Sequence, residues 1–310
     1  MPRSEWIGPP RRRNDSTMHF DRRQLEAGPM RIVAVHPHWR PHDLHTLQDL
    51  VASLAELGKT LGERGWATAR DLWVFPADGG EFLYGLNEWA ATMRAPTWHR
   101  AMSLGLLDEK IWKWAAPLWR GAPVGWKHAV GLEYRRAKAP EVALSYHTAF
   151  AGMSQAFGVT VVGPSLALPV VGESEEGWKI DKRAPFKRVA GVFSLGKLVK
   201  TASQASLALD DEAWQIIPGE GSATWTASEG DELHSYSVAL GNDPAPKHAT
   251  VVRLARTREP ASLPVGTEVR LEWGGNLWDW PSGGSVRAQD AAGKWHREIM
   301  PEGLAIAFGT

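Results

Sequence analysis

Several groups of side chains in this sequence have types and spacings that could do chemistry. His36, His38, His42 and His45 crowd into "HPHWRPHDLH". Imidazoles at such spacing can ligate Zn²⁺ or a similar metal. The segment is a loop with two prolines and no nearby repeat of ligands, so surface histidines are the alternative reading. Glu81, Glu212 and Asp243 could supply an acid–base pair of carboxylates for a hydrolysis. The alternative for Asp243 is that it caps a following helix, and for Glu212 that it begins a loop–helix segment. "GVFSLGKL", beginning at Gly191, nearly matches the phosphate-binding G-x-x-x-x-G-K-[ST] pattern. Leu198 stands where the Mg²⁺-binding hydroxyl belongs and no helical pattern follows, so a hairpin turn at Leu195-Gly196-Lys197 is expected instead. "SVALGNDPAP" is an apolar strand that runs into a tight corner, the kind of place where α/β enzymes keep a nucleophile, but the corner residue is Gly241.

What is missing narrows the chemistry further. The 310 residues include no cysteine, which excludes disulfides, thiolate metal sites and a cysteine nucleophile. No G-x-S-x-G elbow occurs, so a serine hydrolase is unsupported. Lys+Arg and Asp+Glu balance at 35 each, and nothing global draws the chain to nucleic acid or to an anionic membrane. No apolar run is long enough for a transmembrane helix, and the N-terminus lacks the apolar core of a secretory signal. The expectation is a cytoplasmic protein with no cofactor. Tryptophan is abundant at 17 residues, and Trp112, Trp114, Trp119 and Trp126 fall close together. They read as core and interface filler or, alternatively, as an indole-lined groove for a ligand or partner.

The elements that must position these residues alternate along the chain. Residues 1–29 read as a disordered tail, and Met30 is a second candidate start. "RIVAV" is a strand. Leu44, Leu47, Leu50, Leu54 and Leu57 recur at helical steps and Gly65 ends that helix. "DLWVFP" is a strand stopped by Pro76. The region 86–140 is Trp-rich and mostly helical in pattern. "ALSYHTAFAGMSQAFG" is a helix, "VTVVGPSLALPVV" a strand pair or one broken strand, and "RVAGVFSLGKLVKTAS" a hairpin. "HSYSVAL" is a strand, "KHATVVRLARTRE" a helix, and the C-terminal stretch from "GGSVRAQ" a final hairpin. Strands separated by helices, with late hairpins, predict an α/β fold with a mixed sheet.

In this order the elements resemble the nitrilase, or carbon–nitrogen hydrolase, superfamily over most of 30–310. "MRIVAVHPHWRPHDLHTLQDLVASL" resembles the first strand, loop and helix of that family, and "DLWVFPADGGEF" its second strand, which ends in Phe-Pro-Glu. "AFGVTVVGPS" is similar to the strand after the third helix. "GKLVKTASQASLALDDEAW" sits where the family has Lys-x-His-Leu, and "SVALGNDPAP" where it has a strand ending in Cys. "GGSVRAQDAAGKW" resembles the late hairpin. The resemblance implies a nitrilase-like αββα sandwich, usually paired into a homodimer.

The family's chemistry uses a Cys nucleophile, a Glu that moves protons and a Lys that stabilises the oxyanion. Carried over by position, Glu falls on Ala77, Lys on Gln204 and Cys on Gly241. Leu207 and Asp243 stand at the spacing of their neighbours in the motifs. The frame is present and each reactive group is replaced. Glu81 or Asp78 could substitute for the carboxylate, Lys197 or Lys200 for the lysine, and nothing can substitute for the cysteine. Three readings follow. The first is a nitrilase-fold pseudoenzyme that binds a small molecule or a protein partner at a pocket of Ala77, Gln204, Gly241 and Asn242. The second is an amide-type carbon–nitrogen hydrolase of altered chemistry that uses Glu81, Lys200 or Asp243. The third is an assembly protein that works through its Trp-rich surface.

Overall fold

The computed structural model describes residues 20–23, 30–35, 37, 45–87, 126–206, 215–229, 232–246, 249–255, 268–272, 274–277, 280–283, 285–289, 295–299 and 305–308. Two mixed sheets carry the fold. The first contains β1 (Phe20–Arg23), β2 (Arg31–Val35), β3 (Asp71–Val74), β4 (Thr160–Val162), β5 (Leu166–Leu168), β8 (Lys187–Ser194), β9 (Lys197–Ser203) and β18 (Ala305–Phe308). Its order is β1–β18–β2–β3–β4–β8, and β5 and β9 also pair with β8. The second contains, in order, β10 (Ala223–Glu229), β11 (Glu232–Leu240), β12 (Thr250–Ala255), β13 (Glu268–Glu272), β16 (Ser285–Gln289) and β17 (Trp295–Ile299). Small hairpins are formed by β6 (Val170–Ser174) with β7 (Gly177–Ile180), and by β14 (Gly274–Leu277) with β15 (Trp280–Gly283). The helices are α1 (Leu47–Glu63) and α2 (Trp126–Phe157). None of the described helices is long and apolar enough to cross a membrane.

The two faces of the first sheet explain why its strands read as continuous apolar runs. Side chains alternate across a strand, and here both faces are covered, as parallel strands require. Val33, Val35, Trp73, Phe75 and Val161 meet Leu50, Leu54, Leu57 and Leu61 of α1 and Tyr146 and Phe150 of α2. Ile32, Ala34, Leu72, Val74, Val162 and Val192 meet Val238, Leu240, Val252, Leu254, Val269 and Leu271 of the second sheet. The described residues therefore form helix, sheet and sheet layers of the expected α/β sandwich.

Helix α1 begins where its local chemistry directs. Thr46 is the N-cap of a reciprocal capping box with Asp49, and Gly65, at φ +72°, follows the helix end. The hairpin expected at Leu195-Gly196-Lys197 joins β8 to β9, with Leu195 at φ 49° and Gly196 at φ 82°. Positive φ at both loop residues matches the twist of a two-residue hairpin. Helix α2 starts at Trp126 and runs through Pro140, well upstream of the stretch that sequence pattern marked.

Two expectations are corrected. The run "KHATVVRLARTRE" is not a helix: Thr250–Ala255 is strand β12, parallel to β11 and β13. Four residues of the segment read as a tail, Phe20–Arg23, form β1 and pair in parallel with Ala305–Phe308. The other residues of 1–29 lie outside the described residues.

Candidate functional site

Parallel strands end together, so the sheets have two chemically distinct edges. β2, β3 and β4 run the same way. β8 is antiparallel to β4, and β9 is antiparallel to β8, so β9 runs with them. The carboxyl edge thus gathers the residues after β3 and after β9. The corner after β11 reaches the same edge, because Gly241 packs on Gln204.

Gln204 and Gly241 are brought into contact across the two sheets. Gly241 has φ +56°, a conformation that a side chain bearing Cβ adopts only with strain. A Cβ placed there would lie 3.3 Å from Gln204 Nε2 and 3.5 Å from its Cδ. The space beside the corner is therefore filled by the Gln204 carboxamide, whose Nε2 donates to the Ser206 carbonyl. The Gln204 backbone N–H donates to Arg188 O at 2.9 Å, and its carbonyl accepts from Gly219 N at 2.7 Å. Ala77 is buried in the inter-sheet core together with Leu240. Asn242 is exposed in the turn.

Asp78 and Glu81 are each engaged by an arginine. Asp78, in the left-handed conformation at φ 57°, accepts from Arg188 Nη1, and its N–H donates to Ser165 Oγ at 2.9 Å. Glu81 is buried in the 3₁₀ turn Gly79–Gly85, with both oxygens occupied. Arg135 Nη2 of α2 donates to its Oε2 at 2.5 Å and Ala167 N to its Oε1 at 3.0 Å. The Arg135 guanidinium also lies over the Tyr84 ring, and burial pushes the Tyr84 phenol well above its ordinary range. An ion-paired carboxylate whose oxygens are both taken is a poor base.

Asp243 is a clamp between the sheets, and the helix it was expected to cap does not exist. Its Oδ1 accepts from Ser206 N at 2.7 Å and Ser206 Oγ at 2.7 Å, and its Oδ2 from Ala205 N at 2.6 Å. Arg253 of β12 secures the other side. Its Nη1 donates to Gly241 O at 3.0 Å and Asp243 O at 2.8 Å, and its Nε donates to Glu268 at 2.9 Å.

Lys200 stands at the opposite edge, four residues before Gln204, which is about 13 Å of strand. It lines a cleft of about 400 Å³ with Met30, Arg70, Thr160, Ser194 and Trp225. Lys197 is exposed and pairs with Glu175 at 2.7 Å. None of Ala77, Gln204, Gly241 and Asn242 lines this cleft, and Lys200 is not part of the corner they form.

Of the histidines, His45 is described: its carbonyl accepts from Asn87 N at 2.7 Å. His36, His38 and His42 lie outside the described residues, as do Leu207, Glu212 and the side chains of Trp112, Trp114, Trp119 and Trp126. Among the described residues no group of His, Asp or Glu is arranged to hold a metal. Sequence reasoning missed Arg188 and Arg253, the cations that tie the carboxyl edge together. Their one signal was a charge inside an apolar run, "KRVAGV" and "VVRLA".

No family model matches the sequence, and no curated protein matches it. Solved structures do. An amidase from Nesterenkonia sp. is 13% identical, with a TM-score of 0.50 and 90% of each chain covered. A cysteine-to-alanine mutant of the Nesterenkonia AN1 amidase, described as from the nitrilase superfamily, is 13% identical at TM-score 0.51, with 90% of this chain and 89% of that chain covered. A third structure of that amidase carries the acetamide moiety of fluoroacetamide on its active-site cysteine; it is 14% identical at TM-score 0.52, with 90% and 89% covered. Likeness at that identity establishes a shared fold: the chain has the α/β architecture of nitrilase-superfamily amidases and, with no cysteine, lacks the residue on which that covalent adduct forms.

Proposed function

We propose that this chain is a nitrilase-fold protein without amidase or nitrilase catalysis, which works by binding a small molecule or a protein partner. The observation that carries the reading is the Gly241 corner, where the Gln204 carboxamide fills the space a nucleophile would need. Ala77 and Gln204 are the positions that correspond to the family's carboxylate and lysine. Losing the nucleophile of a catalytic unit alone costs on the order of 10⁶ in rate. The engaged oxygens of Glu81 and Asp243, and the placement of Lys200 at the other edge, argue against a replacement set. A homodimer in the cytoplasm belongs to the same proposal, and sedimentation of the purified chain tests the assembly state.

The test of lost catalysis is a panel of acetamide, butyramide and a simple nitrile, followed by ammonia release. The expected result is no turnover above buffer, for the native chain and for Gly241→Cys alike. Turnover that persists in Gly241→Ala and disappears in Glu81→Gln or Lys200→Gln would establish the altered-hydrolase reading instead.

A further inference from the structure

The cleft at the amino edge has a cause in the topology. Its two walls are the edge strands β9 and β10 of the two sheets. The segment that leads into β10 is tied to the end of β9, where Ser203 N donates to Gly221 O at 2.9 Å and Gly221 N to Ser203 O at 2.8 Å. Beyond that bridge the cleft opens between Lys200 on one strand and Trp225 on the other. Stacked sheets that twist separate at their corners.

The lining has a defined chemistry. The Trp225 indole stacks on Tyr236 at 5.8 Å between centroids and 25° between planes. Tyr236 is fully buried, and its hydroxyl accepts from Met30 N at 3.0 Å. The indole wall is thus held from behind. Two cations, Arg70 and Lys200, and the hydroxyl residues Thr160, Ser194 and Thr226 are part of the lining, and no acidic residue is among the described residues that line it. Lys200 is exposed, and its side chain has no ion-pair partner among the described residues.

We propose that this cleft is a binding site for a small organic anion with a flat apolar body, of the aromatic carboxylate class. The ring lies against Trp225, as aromatic walls favour, and the carboxylate meets Lys200 and Arg70. Two cations without a lining acid disfavour a cationic ligand, and a wholly apolar ligand would leave the exposed Lys200 ammonium unmatched. This inference rests on the reading of the chain as a binding protein and gives that function a location away from Gly241.

The experiment is titration calorimetry of the full chain with benzoate, with benzyl alcohol as the neutral counterpart and inorganic phosphate as the bare anion. Benzoate is expected to bind saturably, and the other two at least about tenfold more weakly, the share carried by one charge-assisted contact. Lys200→Gln, at an exposed position that leaves the fold intact, is expected to weaken benzoate about tenfold, and Trp225→Leu likewise. Leu144→Gln, on the exposed face of α2, should change nothing. Benzoate binding unchanged in Lys200→Gln, equal binding of benzyl alcohol, or no saturable benzoate binding in the millimolar range would each overturn the proposal. Amide turnover in the assay above would overturn the non-catalytic reading and leave the cleft standing. Absence of both turnover and benzoate binding would overturn the cleft and leave the non-catalytic reading standing.

Discussion

The two edges of the sandwich are made by the same strands and finished in opposite ways. At the carboxyl edge, Asp78 meets Arg188, Gln204 packs on Gly241, Asp243 binds the Ala205–Ser206 backbone, and Arg253 joins Gly241, Asp243 and Glu268. At the amino edge, Lys200 and Trp225 face an open cleft. α/β sheets ordinarily bind ligands at the carboxyl ends of their strands. Here that end is filled by the protein's own polar groups. A buried polar group left unpaired costs about 1–3 kcal/mol, so a closed edge has to bond most of its polar groups. An open edge has no such requirement, because water serves its polar groups.

Alkaline pH should break the closed side most completely. Tyr84, beside Glu81 and Arg135, and Tyr146, whose hydroxyl accepts from Gly191 N at 3.1 Å, are fully buried, and burial raises both phenols far above their ordinary 10.0. A raised acid group contributes stability that is intact below its unfolded value and lost as pH climbs above it. The fold should therefore hold up to about pH 10 and lose stability steadily beyond. Circular dichroism against pH reads this, and Tyr84→Phe should flatten the decline. A decline of equal slope in Tyr84→Phe would assign the effect elsewhere.

Next in size is the Arg253 clamp. Replacing it by Met strands Glu268, which is 3% exposed, and frees the carbonyls of Gly241 and Asp243. Breaking one side of a buried ion pair costs about 3–5 kcal/mol. Denaturant unfolding should show that loss, whereas a cost below about 1 kcal/mol, typical of an exposed pair, would mean the edge is held by other contacts. Gly241→Ala should cost less, about 1–2 kcal/mol, from the left-handed backbone and the close Gln204 amide. Adding Gln204→Ala to Gly241→Ala should remove the steric part of that cost and leave the backbone part, which a double-mutant cycle measures.

This contrast explains what the sequence could reveal. Helix α1 was legible because its signals are local: leucines at helical steps and a closing Gly65. The expectation that Gln204 and Gly241 share a pocket came from the order of motifs along the chain, not from a local signal. β12 was misread because Val251, Val252 and Leu254 around Arg253 mimic an amphipathic helix whose polar face would hold the arginine. In the fold Arg253 is buried, and its pairing with Glu268, fifteen positions away on a neighbouring strand, together with the Gly241 and Asp243 carbonyls, makes that burial tolerable. The Asp78–Arg188 pair spans 110 positions. The cleft was invisible for the same reason, since Met30, Arg70, Thr160, Lys200 and Trp225 share no spacing and meet only through the topology.

The smallest effect on stability should come from the residue with the largest expected effect on binding. Lys200 is exposed and forms no described ion pair, so Lys200→Gln should shift unfolding by no more than about 0.5 kcal/mol. Paired with a tenfold loss of benzoate affinity, that near-silence would separate the two edges by role: one stabilises the sandwich and the other is available to a ligand. A Lys200→Gln cost comparable to that of Arg253→Met would erase the distinction. The amino edge would then be as structural as the carboxyl edge, with the lysine holding the two sheets at their spacing and its charge no longer spare for an anion.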